Sequence, residues 1–396
     1  MGSMRRRISV EERRARLARR HRLLPSRRTD DLVALTDDLV GLHSSDPTTV
    51  YLSLTARMAR PAIAAVSDAL YRDRSLLRHH AMRRTLWVFS PEGARIAHAA
   101  ATRRLVGPEQ RRLVRLLEER GGVEQGEAWL AEAATRVVDA IEARGRVSIR
   151  ELREALPDLQ LPLDMAPGKS YSATVSALSR ILPLLGFQGR IGRLEPSGGW
   201  TSSQYAWTPL TAWFPDGIDG LDPRAAAAEL CRRWLLAFGP APASDLQWWA
   251  GWPAGLTRKA LSDAAAVEVE LDGAPAWVHP DDVDAVEDGE PWLALLPGLD
   301  PTTMGWKARD WYLDPRQARL LFDGNGNGGP CIWSNGRIVG GWAQRSDGEI
   351  AWRVLEDIGA EAERALELAA IRLQALLGES RVRVRFPAPI QKALLA

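Results

Sequence analysis

Apolar positions along residues 29–42, "TDDLVALTDDLVGL", recur at helical spacing. Leu32, Leu35, Leu39 and Leu42 would share one face, and Thr29, Asp30 and Asp31 supply a capped start. Asp46 and Pro47 then mark the opening of a second helix, "PTTVYLSLTARM", because Asp is a good N-cap and Pro suits the first helical position. His43, Ser44 and Ser45 are thereby predicted to form a tight turn between two helices. Its ordinary reading is turn chemistry, with His43 favourably placed at a helix C-terminus.

The same patterning repeats in the middle of the chain. "WLAEAATRVVDAIEARG" reads as an amphipathic helix closed by Gly145, and "RVSIRELREAL" as a second helix with a Ser148/Glu151 capping box. "SYSATVSALSRILPLLG" reads as a third, and "FQGRIGRLEPSGGWTSSQYAWTPL" as two strands around a Gly-rich loop. A second copy follows. It comprises "AAAAELCRRWLLAFG" ending at Gly239, "SDLQWWAGW", "AGLTRKALSDA", and the hairpin "VEVELDGAPAWVH" turning at Asp272-Gly273. In both copies a Leu (Leu152, Leu246) follows the closing Gly by seven residues. Helix, short helix, helix and hairpin is the winged-helix plan. The N-terminal segment fits it too, with "VEERRARLARRHRLL", the helices on either side of "GLHSSDP", and "LLRHHAMRRTLWVF" supplying the wing.

Beyond residue 290 strands dominate: "PWLALLPGLDP", "CIWSNGRIVGGWAQR" and "EIAWRVLE", with turns at Asn335-Gly336 and Asp347-Gly348. The helix "AEAERALELAAIRLQALLG" and an alternating strand "RVRVRF" close the chain. The expected fold is α+β: three tandem winged-helix motifs at residues 4–125, 126–215 and 216–290, then a C-terminal β-rich domain at 291–396 with one packed helix. Fourteen of the sixteen Trp lie between Trp200 and Trp352. Most suit a core, whereas those beside bases, as in "GWKARDWYL", could line a DNA groove by stacking.

Composition adjusts this picture modestly. The net charge is +2, yet residues 5–28 hold eleven Arg against Glu11 and Glu12, and only Lys169, Lys259, Lys307 and Lys392 are lysines. A basic face with Arg in excess fits a polyanionic partner, although such helices are often only solvated. No run of 18 apolar residues and no signal peptide is visible, so neither a membrane span nor secretion is expected. "MGSM" reads as an added leader ahead of a natural start at Met4. Cys231 and Cys331 stand apart with no CxxC or Cys/His cluster, which suits buried thiols in a reducing cytoplasm and disfavours structural zinc. "GNGNGG" at 324–329 lacks the strand-turn-helix setting of a dinucleotide fingerprint.

Three ordered blocks of the chain now carry a resemblance. "GLHSSDPTTVYLSLTARM", "LLPGLDPTTMGWKARDWYL" and "GNGNGGPCIWSNGRIVGGW" resemble the "GLQAQDP", "LLPGFDP" and "GN-GP…dGrvvGtW" segments of the winged-helix DNA glycosylases (AlkZ/YcaQ-like), which remove bulky alkylated bases. The resemblance covers nearly the whole chain. It implies that the family's catalytic Gln-x-Gln pair maps onto His43 and Ser45, two departures from the usual amides. It also implies an open, groove-tracking encounter with DNA.

The chemistry supports the same assignment. Alkylation at guanine N7 or adenine N3 leaves a cationic base that departs readily, so the remaining demand is for water at C1′ beside an oxocarbenium-like sugar. A neutral His43 can orient or deprotonate that water while Ser45 holds it. Asp300 is a further catalytic candidate, with turn-forming Asp-Pro as its commoner role. Arg83, Arg84, Trp306, Lys307, Arg309, Asn325 and Asn327 are the DNA-binding candidates. His79 and His80 could contact phosphate or end a solvated strand.

The expected activity is therefore monofunctional excision of bulky N7-alkylguanine-type purines, in repair or in self-resistance to a DNA-alkylating natural product. The expected partner is double-stranded DNA carrying such an adduct. No metal, cofactor or membrane enters, and the protein is expected to be a cytoplasmic, nucleoid-associated bacterial monomer. The rival is a non-catalytic winged-helix regulator. Regulators, however, are usually dimers with one motif per chain.

Overall fold

The computed structural model describes residues 5–165, 168, 172–287 and 289–396, so the leader reading of residues 1–4 lies outside the described residues. The two central repeats appear in the expected order. In the first, Gly126–Arg144, Ile149–Ala155 and Leu178–Phe187 are helices, and Ile191–Pro196 pairs antiparallel with Tyr205–Pro209. Ser148 and Glu151 form the reciprocal cap that their spacing predicts. The second has helices Pro223–Phe238, Ala243–Ala250 and Ala254–Asp263, with a hairpin of Val267–Leu271 and Ala274–Val278. Asp272 and Gly273 both take positive φ, 48° and 78°, as its two-residue turn requires.

Three local readings are corrected. Helix at residues 170–186 begins only at Leu178; Ala173–Ser176 instead pairs with Pro162–Met165, and residues 170 and 171 lie outside the described set. "RVRVRF" joins no ladder despite its alternation, and a short helix, Pro389–Leu395, follows it. The third correction concerns "GLHSSDP". Helix Leu32–Asp38 stops four residues before Leu42, and the chain reverses through Val40 and Gly41, both at positive φ. A side chain at Gly41 would meet the Phe89 ring at 2.5 Å, so only glycine fits. Leu42–His43 then adds as an edge strand to Leu86–Phe89, which also pairs with Leu77–His80.

The Arg-rich N-terminal helix, Val10–Arg20, is likewise not a solvated basic face. Arg16 is wholly buried, bonded to Glu12 at 2.6 Å and Asp282 at 2.8 Å. Arg20 joins Asp282, and the Arg13 guanidinium lies 4.0 Å over the Trp311 ring. Strand Arg7–Ile8 adds parallel to Val267–Leu271. The arm thus fastens the second repeat to the C-terminal part, using the long stems and planar heads that let Arg serve inside an interface.

The C-terminal sheet runs Leu293–Leu296, Cys331–Ser334, Arg337–Gln344, Ile350–Val354 in spatial order, all antiparallel. Helix Gly359–Leu377 covers it through Leu366, Ala370 and Leu377. No helix among the described residues is long and apolar enough to cross a membrane.

The C-terminal part meets the first helical unit through one buried ion pair. Arg57 and Asp300 have no exposed side-chain surface, and their closest contact is 2.8 Å. Ser53 Oγ donates to Asp300 at 2.6 Å, and Thr49 Oγ1 donates to Gly298 O at 2.7 Å. Burial alone would raise the Asp300 carboxyl, but Arg57, the Ser53 hydroxyl and the Thr302 N–H hold it below its ordinary range. Asp300→Asn, which strands the Arg57 charge in the interior, should cost about 3–5 kcal/mol in urea unfolding, whereas Arg57→Met with Asp300→Leu should cost clearly less. Equal losses in the single and double variants would refute this account.

Candidate functional site

Helix Pro47–Thr55 begins where Asp46 Oδ1 accepts from the Thr48 backbone N–H at 3.0 Å and its hydroxyl at 2.7 Å. The preceding turn is held from every side. Ser44 N donates to Leu86 O at 2.7 Å, and Arg78 Nε donates to Ser44 Oγ at 3.0 Å. From the far end of the chain, Arg385 N donates to Asp46 Oδ2 and Arg385 Nη1 to Ser45 O, each at 3.0 Å. The segment read as the strand "RVRVRF" is therefore a strap across the turn.

His43 is buried beside Trp87, ring centroids 5.2 Å apart. Its Nδ1 accepts the Ser45 N–H at 3.4 Å, a long bond that leaves the proton of the neutral ring on Nε2. Burial pushes its pKa down to about 3, and the charge of Arg83 pushes in the same direction. The imidazole is neutral throughout the physiological range, so the acid limb near pH 6.5 expected of a free histidine is displaced.

Ser44 and Ser45 face a cavity of about 620 Å³ whose wall does not include His43. Arg84, Arg193 and Arg385 line it with His80, Tyr205, Trp207 and Phe386, and the wall contains no carboxylate. Arg84 is ion-paired to Glu109 at 2.9 Å. Arg193 lies 4.6 Å over the Trp207 ring and donates to His80 Nε2 at 3.1 Å. The reading of His79 and His80 as a solvated strand end is corrected, since both are buried. His79 Nε2 lies 2.9 Å from His98 Nδ1 on the face away from the cavity.

A second basic group lies on the His43 side. Arg83 and Arg309 both stack on Trp248, at 4.3 and 5.8 Å from the ring centroid. Arg83 holds φ at 55°, and burial followed by the nearby Arg309 lowers its pKa to about 10. Arg309 Nη2 donates to Gly326 O at 3.3 Å, which ties it to the loop carrying Asn325 and Asn327. Asp323 clasps that loop by accepting from the Asn327 side chain and from both asparagine N–H groups. Arg83, Arg309, Asn325 and Asn327 are thus brought together, with Lys307 exposed nearby in the chain.

Two candidates fall elsewhere. Trp306 is a core residue, 1% exposed, its indole N–H donating to Phe238 O at 2.9 Å. It cannot stack on a base without unpacking. Asp300 is sealed with Arg57, and its oxygens are already occupied by Arg57, Ser53 and Thr302 N–H, so it offers no base to a sugar. Arg78, Arg193, Tyr205 and Arg385 were not among the sequence candidates. Arg193 alternates outward in "RIGRLEP", a weak signal that could have been noticed; Arg385 had none, because its segment reads as an ordinary strand.

As a chemical device, the turn offers a neutral imidazole, a serine hydroxyl with no hydrogen bond among the described residues, and fixed cations on both sides. That equipment can orient water and hold a polyanion. No group of three or more potential metal ligands gathers among the described residues.

The solved structure of Streptomyces sahachiroi DNA glycosylase AlkZ is similar over 96% of this chain and 99% of that one, with a TM-score of 0.73 and 21% identity. No curated protein compared with the chain matches it. The model of the family described as "DNA glycosylase AlkZ-like" matches residues 36–376, a span that holds both the His43–Asp46 turn and the Asp300 loop. The chain belongs to the AlkZ-like DNA glycosylase family.

Proposed function

We propose that this DNA glycosylase hydrolyses the N-glycosidic bond of bulky alkylated purines of the N7-alkylguanine type, as a monofunctional enzyme in repair or in self-resistance to a DNA-alkylating natural product. The observation that carries the reading is the rigid His43–Ser45 turn flanked by guanidiniums, Arg193 and Arg385 on one side and Arg83 and Arg309 on the other. In this reading the regions 4–125, 126–215 and 216–290 act as three winged helices. The C-terminal domain closes the concavity, and one chain suffices on cytoplasmic, nucleoid DNA.

In the reaction the C1′–N9 bond breaks and its electron pair neutralises the cationic base, while water oxygen bonds to C1′ and loses a proton. His43 and Ser45 hold that water. The ring orients it through Nε2–H or, once the long Ser45 contact is released, accepts its proton. A neutral ring adds no positive charge beside the oxocarbenium-like sugar. Arg83, Arg84, Lys307, Arg309, Asn325 and Asn327 hold the backbone or groove.

Incubation with duplex carrying a bulky N7-alkylguanine should yield abasic sites under single-turnover conditions. His43→Ala should slow excision roughly 10²-fold with little change in binding. Ser45→Ala should cost less, and His43→Gln should retain much of the rate. A wild-type rate in His43→Ala would make the turn structural.

Because the folded pKa of His43 is depressed to about 3, the ring stays neutral above that value and charges only below it. Single-turnover rates should therefore be flat between about pH 5 and 8. An acid limb near pH 6.5 that vanishes in His43→Gln would contradict the buried, neutral ring.

Arg83→Gln with Arg309→Gln should weaken binding across sequences and reduce the salt slope by about one unit per lost phosphate contact. An unchanged slope would move the DNA face elsewhere.

A further inference from the structure

Arg78 lies behind the cavity wall, only 2% exposed, with its guanidinium 4.8 Å from the Tyr205 ring and 5.5 Å from that of Tyr71. Its Nε is taken by Ser44 and its Nη1 by the Tyr71 hydroxyl, while Nη2 has no partner. Arg193 also stands near Tyr205, 5.9 Å from the same ring. Among the described residues neither arginine is ion-paired, so two guanidiniums stand close to one phenol ring without a carboxylate. Burial and the nearness of Arg78 lower the Arg193 pKa to about 10, which leaves it charged.

The polar groups around this pair are equally incomplete. Arginine can only donate, so His80 Nε2 accepts from Arg193 and the neutral ring carries its hydrogen on Nδ1. That Nδ1–H is buried without an acceptor, and the Tyr205 hydroxyl has no partner either. Unpaired buried donors and uncompensated buried cations are each costly. Here they collect behind the wall of a single cavity, next to Ser44 and Ser45. Arg385 faces the same cavity from the strap, with its backbone and Nη1 already anchored to the turn. What the arrangement lacks is an anion.

We infer that the cavity is a phosphodiester subsite, in which Arg193, held in place by His80 and Trp207, grips one backbone phosphate of the lesion-bearing strand together with Arg385. The inference rests on the DNA glycosylase reading and adds a defined contact to it. Arg385 bonds the backbone of Ser45 and Asp46, so the phosphate seated there is referenced directly to the turn. Arg193 acts as a positioning residue: it sets where the sugar lies relative to His43 and Ser45 and does not touch the reacting atoms. Arg78 fixes the Ser44 hydroxyl and supplies positive charge from behind.

The test is a scan of duplexes in which one phosphate at a time near the adduct is replaced by an uncharged methylphosphonate. For the wild type, one position should weaken binding about tenfold. In Arg193→Gln and in Arg385→Gln the same replacement should cost clearly less than in the wild type, since one of the two contacts is already lost, and in the double variant it should cost nothing further. Effects of Arg193→Gln that multiply with those of every methylphosphonate would overturn the inference. So would competition by inorganic phosphate at constant ionic strength without any coupled position, because the cavity would then take a free anion. Arg193 stacks on Trp207 and its variant could disturb the hairpin, so melting is compared first. If Arg193→Gln is unfolded, the exposed Arg385 decides the outcome by the same coupling. The coupling is read in binding, so it is independent of whether a particular adduct is excised.

Discussion

The Arg57–Asp300 pair is the constraint on which the placement of the turn depends. Arg57 follows helix Pro47–Thr55, whose first residues stand directly after His43–Asp46, and Asp300 opens the loop that enters helix Pro301–Met304. The pair extends into a network. Arg57 Nη2 donates to Thr302 Oγ1 at 2.7 Å, the Thr302 hydroxyl meets His21 Nδ1 at 2.9 Å, and His21 Nε2 reaches Ala237 O at 3.1 Å. The N-terminal arm, the first helical unit, the second central repeat and the C-terminal domain therefore meet around two charges. Charges so buried contribute little net stability compared with an apolar core of the same shape, but any misalignment leaves one unpaired. The network consequently favours one relative placement of four chain segments. It ties the segment "GLHSSDP" to "PGLDP" in the folded chain, without giving Asp300 a place in the chemistry.

Arginine performs opposite tasks in this molecule, and the sequence does not distinguish them. In the N-terminal helix the counter-ions Glu12 and Asp282 turn Arg16 and Arg20 inward, where they act as internal fasteners. Around the turn, Arg78, Arg193, Arg83 and Arg309 find aromatic faces instead of carboxylates. A cation held by a ring keeps its positive field, whereas one held by a carboxylate loses most of it. Regional charge counts follow neither difference. Much of the Arg in helix Val10–Arg20 therefore serves inside the fold, while the sparsely placed Arg193 and Arg385 stand at the cavity.

Local signals were legible where the chemistry is local. The Ser148/Glu151 box, the Asp272-Gly273 and Asn335-Gly336 turns and most helices of the two repeats depend on residues a few positions apart, and they occur as the spacing predicts. Failures occur where tertiary contacts override the pattern. Leu42 continues a helical stripe, yet Gly41 and pairing to Val88 pull it into a sheet. The alternating segment "RVRVRF" joins no ladder, because its Val382 and Arg385 N–H groups bond to Gln344 and Asp46 side chains. Trp306 looked available beside Lys307 and Arg309, yet its indole found Phe238 O in the core. Within the candidate site the turn itself and the Arg83/Arg309/Asn325/Asn327 grouping could be read, since short motifs mark them. The opposite wall comes from two distant segments and carries no motif.

If His43 and Ser45 stand where the resembling family carries amides, the change is chemically smaller in this environment than the residue names suggest. An amide never titrates in the physiological range, and burial against Trp87 together with the field of Arg83 removes titration from His43 as well. What remains is a planar group with one donor and one acceptor nitrogen, close in hydrogen-bonding capacity to a glutamine head. Ser45 is shorter than an amide side chain, and the strap residue Arg385 fixes its backbone from the other side. The shorter side chain leaves open space beside Ser45, where the cavity begins. Rigidity at the turn and room next to it are both needed if water must be held still beside a sugar whose neighbouring phosphate sits in the cavity.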